Sequence, residues 1–429
     1  MFNNNRKSKI MIFTLLLALG LAIDMTFNAY IKSSSSASGP LLLSTNIERS
    51  LAGFKDSESQ DWKSFPSLNQ ARRGHRVTSW ADGRIFVSGG LIGNGNIVLP
   101  HKYLSTAEFY DPSLGKWVII ETNVSRFRHT STSLPSGAVL IAGGQNSLGF
   151  LKTTEIYDPK TNRIKFGPSL LRERRLHAAT MLTNGRILIT GGYNSSNLSD
   201  TTLSQLSESE EIDTESFKSF PVKAMNQPRE LHTASLLSDG RVLVTGGIYQ
   251  GITLAHSEIY DPRKGSWEVI RPMKTGRSRH TATLLKDGRI LIIGGSDGKA
   301  LNIRTVWGIA TQRYASCEIY NPKTGEWTMT DSMKVGRATF MDAILLSNNK
   351  VLVGGGLGEA GNTWEIFDVA NEKWEAIGFW KDSIYAHRMA YIPSSNQVVK
   401  IGGLINEKDS NRCQVLDIEK LMKTRGGKF

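Results

Sequence analysis

Cysteine is almost missing from this chain: two in 429 residues, Cys317 and Cys413. That excludes a disulfide-stapled scaffold. Aromatic residues are sparse at 8%, and few stretches keep the 3.6-residue apolar period of an amphipathic helix, which argues against a helical bundle. Familiar catalytic signatures are missing as well. There is no H-E-x-x-H, no C-x-x-C, no P-loop and no nucleophile elbow ahead of a helix, the patterns that mark zinc hydrolysis, thiol redox chemistry, nucleotide binding and serine hydrolysis. The acidic residues recur at fixed spacings and form no isolated carboxylate pair. No metal, cofactor or catalytic residue is therefore assigned. The net charge of +13 is spread along the chain and favours acidic partners. No helix or aromatic platform of a nucleic-acid module accompanies it, so specific nucleic-acid binding is not expected.

Glycine, in contrast, is abundant at 41 residues. Seven Gly-Gly pairs begin at Gly89, Gly143, Gly191, Gly246, Gly294, Gly355 and Gly402. Each closes an apolar strand, such as Arg241-Val-Leu-Val-Thr-Gly-Gly, and a tight turn such as Asp239-Gly240 comes before it. Those turn residues accept the positive φ of two-residue hairpins. A variable loop follows, then an acidic-apolar-aromatic-Asp strand: Glu108, Glu155, Glu258, Glu318 and Glu365 start five of them. The third copy is degenerate around Glu211-Ile212-Asp213 and the seventh reads Gln414-Val415-Leu416-Asp417. Trp117, Trp267, Trp327 and Trp374 lie nine residues beyond the glutamate; Ile164 takes that place in copy two and Phe217 is the expected stand-in in copy three. The unit is four short strands, and the chain is all-β.

Copy seven stops after its third strand, yet Trp62 precedes copy one, thirteen residues ahead of His75, as Trp267 precedes His280. The strand at Trp62 is therefore expected to complete the last unit and close a ring of seven four-stranded blades, which removes free sheet edges. In that register Cys317 and Cys413 fall two blades apart, beyond the roughly 7 Å Cα separation a disulfide spans. Both are expected to be free and buried.

At the N-terminus, Arg6, Lys7 and Lys9 precede the apolar run Ile10 to Ile23, the pattern of an export signal. Retained, residues 10–30 are about long enough to cross a bilayer, with the remainder of the chain outside the cytoplasm. The expected organisation is 1–30 signal peptide or signal anchor, 31–60 Ser-rich linker, 61–418 propeller and 419–429 basic tail. The expected location is extracytoplasmic, periplasmic or secreted.

The combination of diglycine, Tyr in the third strand and Trp in the fourth resembles the kelch repeat over roughly residues 61 to 418. The wording R-x-x-H…DGR(I/V)L(I/V)xGG…EIYDPxxGxW is similar to that of bacterial kelch proteins and of the central propeller of galactose oxidase. The resemblance implies a seven-bladed kelch-type β-propeller. It does not extend to the oxidase's copper site, because no residue matches that site and only eleven residues follow Ile418.

Two recurrent residues are candidates for chemistry. His75, His129, His177, His232, His280 and, one residue off register, His387 begin the innermost strands. Dispersed around a seven-bladed ring, they suit structural bonds to neighbouring backbone better than a shared metal. Three residues before the histidine stand Arg72, Arg126, Arg174, Arg229 and Arg277, crowded by Arg73, Arg128, Arg172, Arg175 and Arg279; Arg337 is displaced by one. These guanidiniums either crown the loop-bearing face as an anion site or pair with the once-per-blade glutamates. The longest loop, Ser296 to Ser316, adds Arg304, Trp307, Arg313 and Tyr314 as candidate ligand contacts. The expected function is an interaction module for a protein or acidic glycan partner, attached to the membrane if the N-terminal segment is uncleaved. A carbohydrate-acting enzyme resembling the bacterial sialic-acid mutarotases and an envelope scaffold are the alternatives.

Overall fold

The computed structural model describes residues 61–93, 102–194, 204–297, 312–356, 358–380, 384–405 and 408–424. The expected signal or anchor (1–30) and linker (31–60) lie outside these residues. Among the described residues, no helix is long and apolar enough to cross a membrane.

Seven four-stranded antiparallel sheets make up a β-propeller. Blade 4 is representative: Thr233–Leu236 pairs with Val242–Thr245, which pairs with Ser257–Asp261, which pairs with Ser266–Ile270. The second strand is buried along its whole length, which is why Val242, Leu243 and Val244 form a continuous apolar run. The fourth strand buries only Trp267 and leaves Glu268 and Val269 exposed, as an outer edge strand does. The first strands of successive blades adjoin one another around the full circle, so their edges line a central channel.

Ring closure follows the expected route. Trp62–Phe65 pairs with Cys413–Asp417, Trp62 opposite Leu416, and supplies the fourth strand of blade 7. In six of the seven pairs the second glycine ties its blade to the next: Gly90 N–H donates to the Arg126 carbonyl at 2.9 Å, Gly247 to Arg277 at 3.0 Å, and Gly403 of blade 7 to Arg72 of blade 1 at 2.9 Å. Gly90 has φ +103°, and a Cβ there would meet the Arg73 carbonyl at 2.7 Å, so both conformation and close approach require glycine.

The core is a set of wedges between blades. Tyr260 and Trp267 of blade 4 pack with Leu182 and Leu188 of blade 3; Tyr110 and Trp117 of blade 1 pack with Val399 and Ile401 of blade 7. Each tryptophan also ties down the loop leading into its blade, Trp117 Nε1 donating to the Pro66 carbonyl and Trp267 Nε1 to the Lys223 carbonyl, both at 2.7 Å. Cys317 and Cys413 are free and buried, and burial pushes both thiols up to about 12.

Three sequence expectations change. In blade 3 the pairing of Ile212 with Ser219 places Ser219 at the tryptophan position. Phe217 is instead 51% exposed in a left-handed turn with φ 59°, because the turn geometry points it away from the wedge. His387 is in register with His75, since Arg388 faces Ile401 as Arg76 faces Ser88, each partner preceding a glycine pair. Residues 419–424, the start of the expected 419–429 tail, belong to a helix Ile418–Thr424 whose Ile418 and Leu421 are buried against Trp62 and Leu416. Two apolar residues three apart suffice to dock one helical turn.

Candidate functional site at the channel mouth

The recurrent arginines occupy internal cages. Arg72 is fully buried; its Nη1 donates to the Gly89 and Thr106 carbonyls at 3.0 and 3.1 Å and its Nη2 to Glu108 at 2.9 Å. Glu108 in turn accepts the backbone N–H groups of Asn69 and Gln70 at 2.7 and 3.0 Å. The same cage recurs as Arg126–Glu155, Arg174–Glu210, Arg229–Glu258, Arg277–Glu318 and Arg337–Glu365, at 2.7 to 3.0 Å. Its glutamate in blade 3 is Glu210; the following Glu211 accepts from the Tyr260 hydroxyl at 3.0 Å. Burial penalises each guanidinium and its glutamate offsets the penalty. Arg72, Arg126, Arg174, Arg229 and Arg277 thus pin the incoming loop to its blade and do not crown the face. A guanidinium with no solvent exposure and a buried carboxylate partner has nothing to offer a ligand.

The loop candidates divide. Arg304 and Trp307 lie outside the described residues. Arg313 is exposed. Tyr314 is partly buried, and its ring lies under the Arg277 guanidinium at 5.5 Å, so it belongs to that cage.

The histidines point into the blade junctions. His129 Nε2 bonds to Ser88 at 2.9 Å, His177 to Thr130 at 3.1 Å, His232 to Thr190 at 2.9 Å and His280 to Thr233 at 2.9 Å. These four bond through Nε2 to side-chain hydroxyls of the preceding blade, not to backbone as expected, while the ring nitrogens of His75 and His387 have no hydrogen-bond partner among the described residues. Burial, followed by the nearby arginines, depresses the four well below the ordinary histidine range, His280 to about 3. They are neutral packing elements.

What surrounds the mouth is the residue just before each histidine position. Gly74, Arg128, Leu176, Leu231, Arg279, Phe340 and Ala386 all adopt left-handed backbone, φ 55° to 61°. Their N–H groups hook successive blades: Leu176 donates to the Arg128 carbonyl, Leu231 to Leu176, Arg279 to Leu231 and Gly74 to Ala386, at 3.1 to 3.4 Å. Non-glycine residues pay for this conformation, and such outliers concentrate at functional sites.

Two halves of the rim differ. On the side of blades 2 to 5, Arg128 and Arg279 join Arg175, which stacks on Phe150 and Tyr193 at 4.8 and 5.0 Å and donates to Gln145. Burial, Arg175 and Arg279 weigh against the charged form of Arg128, while Glu230 favours it; Glu230 likewise supports Arg175 and Arg279. Glu230 is thus the carboxylate whose charge acts on all three guanidiniums. The aromatic part begins at Phe127, whose ring lies under the Arg128 guanidinium at 5.2 Å; buried Leu91 and Phe127 pack with Tyr103 and with Phe340 from blade 6. Phe127 lies so close over Gly74 that a Cβ there would be 2.3 Å from its ring.

These features define a kelch-type seven-bladed propeller with a part-cationic, part-aromatic mouth. The Attractin/LZTR1 beta-propeller family profile matches residues 48–303, and a Kelch motif profile matches residues 277–334. The first match covers more than half of the 429 residues, and the chain belongs to that family of kelch-repeat propellers. Among curated proteins it is similar to Kelch-like protein 36 of Rattus norvegicus, 32% identical over 113 residues, and of Mus musculus, 31% identical over 113 residues. Each alignment covers 25% of this chain and 17% of the relative, so the chain spans a small part of their length. A solved structure described as that of YjhT shares the fold, with a TM-score of 0.54 and 14% identity over 73% of this chain and 99% of that one.

Proposed function

We propose that this chain is a protein-binding module that captures an acidic surface of its partner on the loop-bearing face. The observation that carries the proposal is the cationic part of the rim: Arg128 and Arg279 on left-handed backbone and Arg175 stacked on Phe150 and Tyr193, with Glu230 the carboxylate whose charge acts on all three. Arginine forks on a rigid, partly desolvated rim suit carboxylates and discriminate by charge. Kelch propellers typically serve as interaction modules. Exposed Arg313, Leu148 at 90% exposure and Ile252 at 67% extend the surface on the same face, and arginine set beside apolar contacts is the usual composition of a binding hot spot. The histidines, locked into blade junctions, do not join the rim arginines, so the Arg-Glu-His cleft of a sugar-acting enzyme does not assemble there.

An array of Glu/Asp-rich, neutral and Lys-rich peptides, with a sulfated polysaccharide in parallel, tests this reading. Selective, salt-sensitive binding of acidic peptides supports it. Preference for the polysaccharide returns the acidic-glycan reading, and preference for neutral or basic peptides removes the basis of both. The N-terminal apolar run supports export of the module, to the periplasm or outside, with residues 10–30 as its anchor if uncleaved.

A further inference from the structure

The residue after the inner-strand histidine is small or hydroxylated in four blades: Thr130, Ala178, Thr233 and Thr281. Three consecutive blades carry charge there instead, Asp342 in blade 6, Arg388 in blade 7 and Arg76 in blade 1. The equivalence is fixed by pairing, because Asp342 faces Gly354, Arg388 faces Ile401 and Arg76 faces Ser88, the residues preceding the glycine pairs. None of these charges belongs to an arginine–glutamate cage or to the rim.

Both arginines are held in the same way. Arg76 Nε donates to the His129 carbonyl of the next blade at 2.8 Å, and Arg388 Nε to the His75 carbonyl at 3.4 Å. Each guanidinium thus lies across a junction of two innermost strands. Asp342 is already committed: Oδ1 accepts from Arg388 Nη1 at 2.6 Å and Oδ2 from the Met389 backbone N–H at 2.7 Å. Among the described residues, the two Nη groups of Arg76 have no partner, and the residue is partly exposed. Burial, then Arg388, pulls Arg76 down to about 9, with Asp342 acting the other way; it stays protonated at neutral pH. Two guanidiniums against one carboxylate leave one positive charge in a confined setting where a counter-ion is strongly favoured.

We propose that blades 6, 7 and 1 form a channel site for a small organic monocarboxylate, gripped by the Nη groups of Arg76 with Arg388 beside it. One net charge matches a monoanion, whereas a dianion would oppose Asp342. The planar fork of arginine matches two carboxylate oxygens. The aromatic half of the rim lies over the same blades, with Phe127 covering Gly74, two residues from Arg76; an acid with an apolar tail satisfies both features.

Calorimetric titration of the full chain with acetate, phenylacetate and sulfate tests the site. Phenylacetate is expected to bind more tightly than acetate, and sulfate more weakly than either. Arg76→Gln should weaken carboxylate binding at least tenfold. Asp342→Asn, which removes the competing carboxylate and frees Arg388, should tighten it several-fold. The rim variant Arg128→Asn/Arg279→Asn should leave it within twofold, which separates this site from the protein-binding surface. Crystals of the unsubstituted protein soaked in bromoacetate give a readout independent of any variant's folding, with bromine signal expected beside Arg76. Undetectable acetate and phenylacetate binding, unchanged affinity in folded Arg76→Gln, or a channel without bromine would overturn the proposal.

Discussion

At three blade boundaries a histidine and the hydroxyl before the preceding glycine pair form a matched pair, whereas the buried rings of His75, after Ile401, and His387, after Gly354, have no hydrogen-bond partner among the described residues. Where the residue before the glycine pair is Ser88, Thr190 or Thr245, the next blade's histidine bonds to it. Where blade 5 ends in Ile293, blade 6 presents Met341 in place of histidine, and its methyl group packs at Gly294. A buried imidazole without a partner is costly, and a thioether avoids the cost. Met341→His alone should destabilise the protein by about 1–3 kcal/mol. Adding Ile293→Thr should recover part of that, and a double-mutant cycle in urea reads the coupling. Additive effects would mean the pairing is coincidental. The same histidines set the acid response. Burial depresses their folded-state values below the ordinary histidine value of 6.5, His280 to about 3. Below pH 6.5 the unfolded chain takes up protons that the native state refuses, so stability is complete above that pH and drains as pH falls, for His280 down to about 3. Each such histidine contributes up to about 1.4 kcal/mol per pH unit. The urea midpoint should therefore drop markedly between pH 7.5 and pH 5; a flat profile would contradict the burial of these rings.

At the scale of elements, the repeat was legible because its spacing is physical. A glycine pair after an apolar strand and a tryptophan nine residues past a glutamate each mark a fixed strand position, and Trp62 revealed the closure by the same distance. The cages were half legible: Arg and Glu recur with equal period, but only the third dimension shows Arg72 and its counterparts turned inward. Arg128 and Arg279 stand out from Arg72 through their left-handed backbone and Arg175 through its stacking on Phe150 and Tyr193, none of which the sequence spacing shows. Arg76, Arg388 and Asp342 went unread, although comparing the residue after each histidine would have exposed them. The closure strand yields its own prediction. Trp62 is buried against Trp380 at 5.8 Å, and Lys400 Nζ lies over the two indoles at 5.5 and 4.5 Å. Trp62→Ala should cost about 3–5 kcal/mol. Removing residues 1–65 should expose the edge at Cys413–Asp417 and promote association, visible by size-exclusion chromatography; a monomer of unchanged stability would refute the role given to this strand.

For the whole molecule, rigidity and recognition are divided among three sets of arginine. The caged set holds loops to blades; the rim set carries the proposed partner surface, and Arg76 with Arg388 the proposed carboxylate site. Export rests on the first thirty residues alone. Alkaline phosphatase fused after Gln60 should be active in a bacterial host, and an inactive fusion would place the propeller inside the cytoplasm. The claim that the rim reads acidic surfaces is tested most directly by the affinity of a Glu-rich peptide for the propeller and for Arg128→Asn/Arg279→Asn, since asparagine tolerates the left-handed backbone at both positions. The account predicts at least a tenfold loss of affinity in that variant, unchanged thermal stability, and tighter binding in Glu230→Gln. Equal affinity in the folded double variant would contradict it.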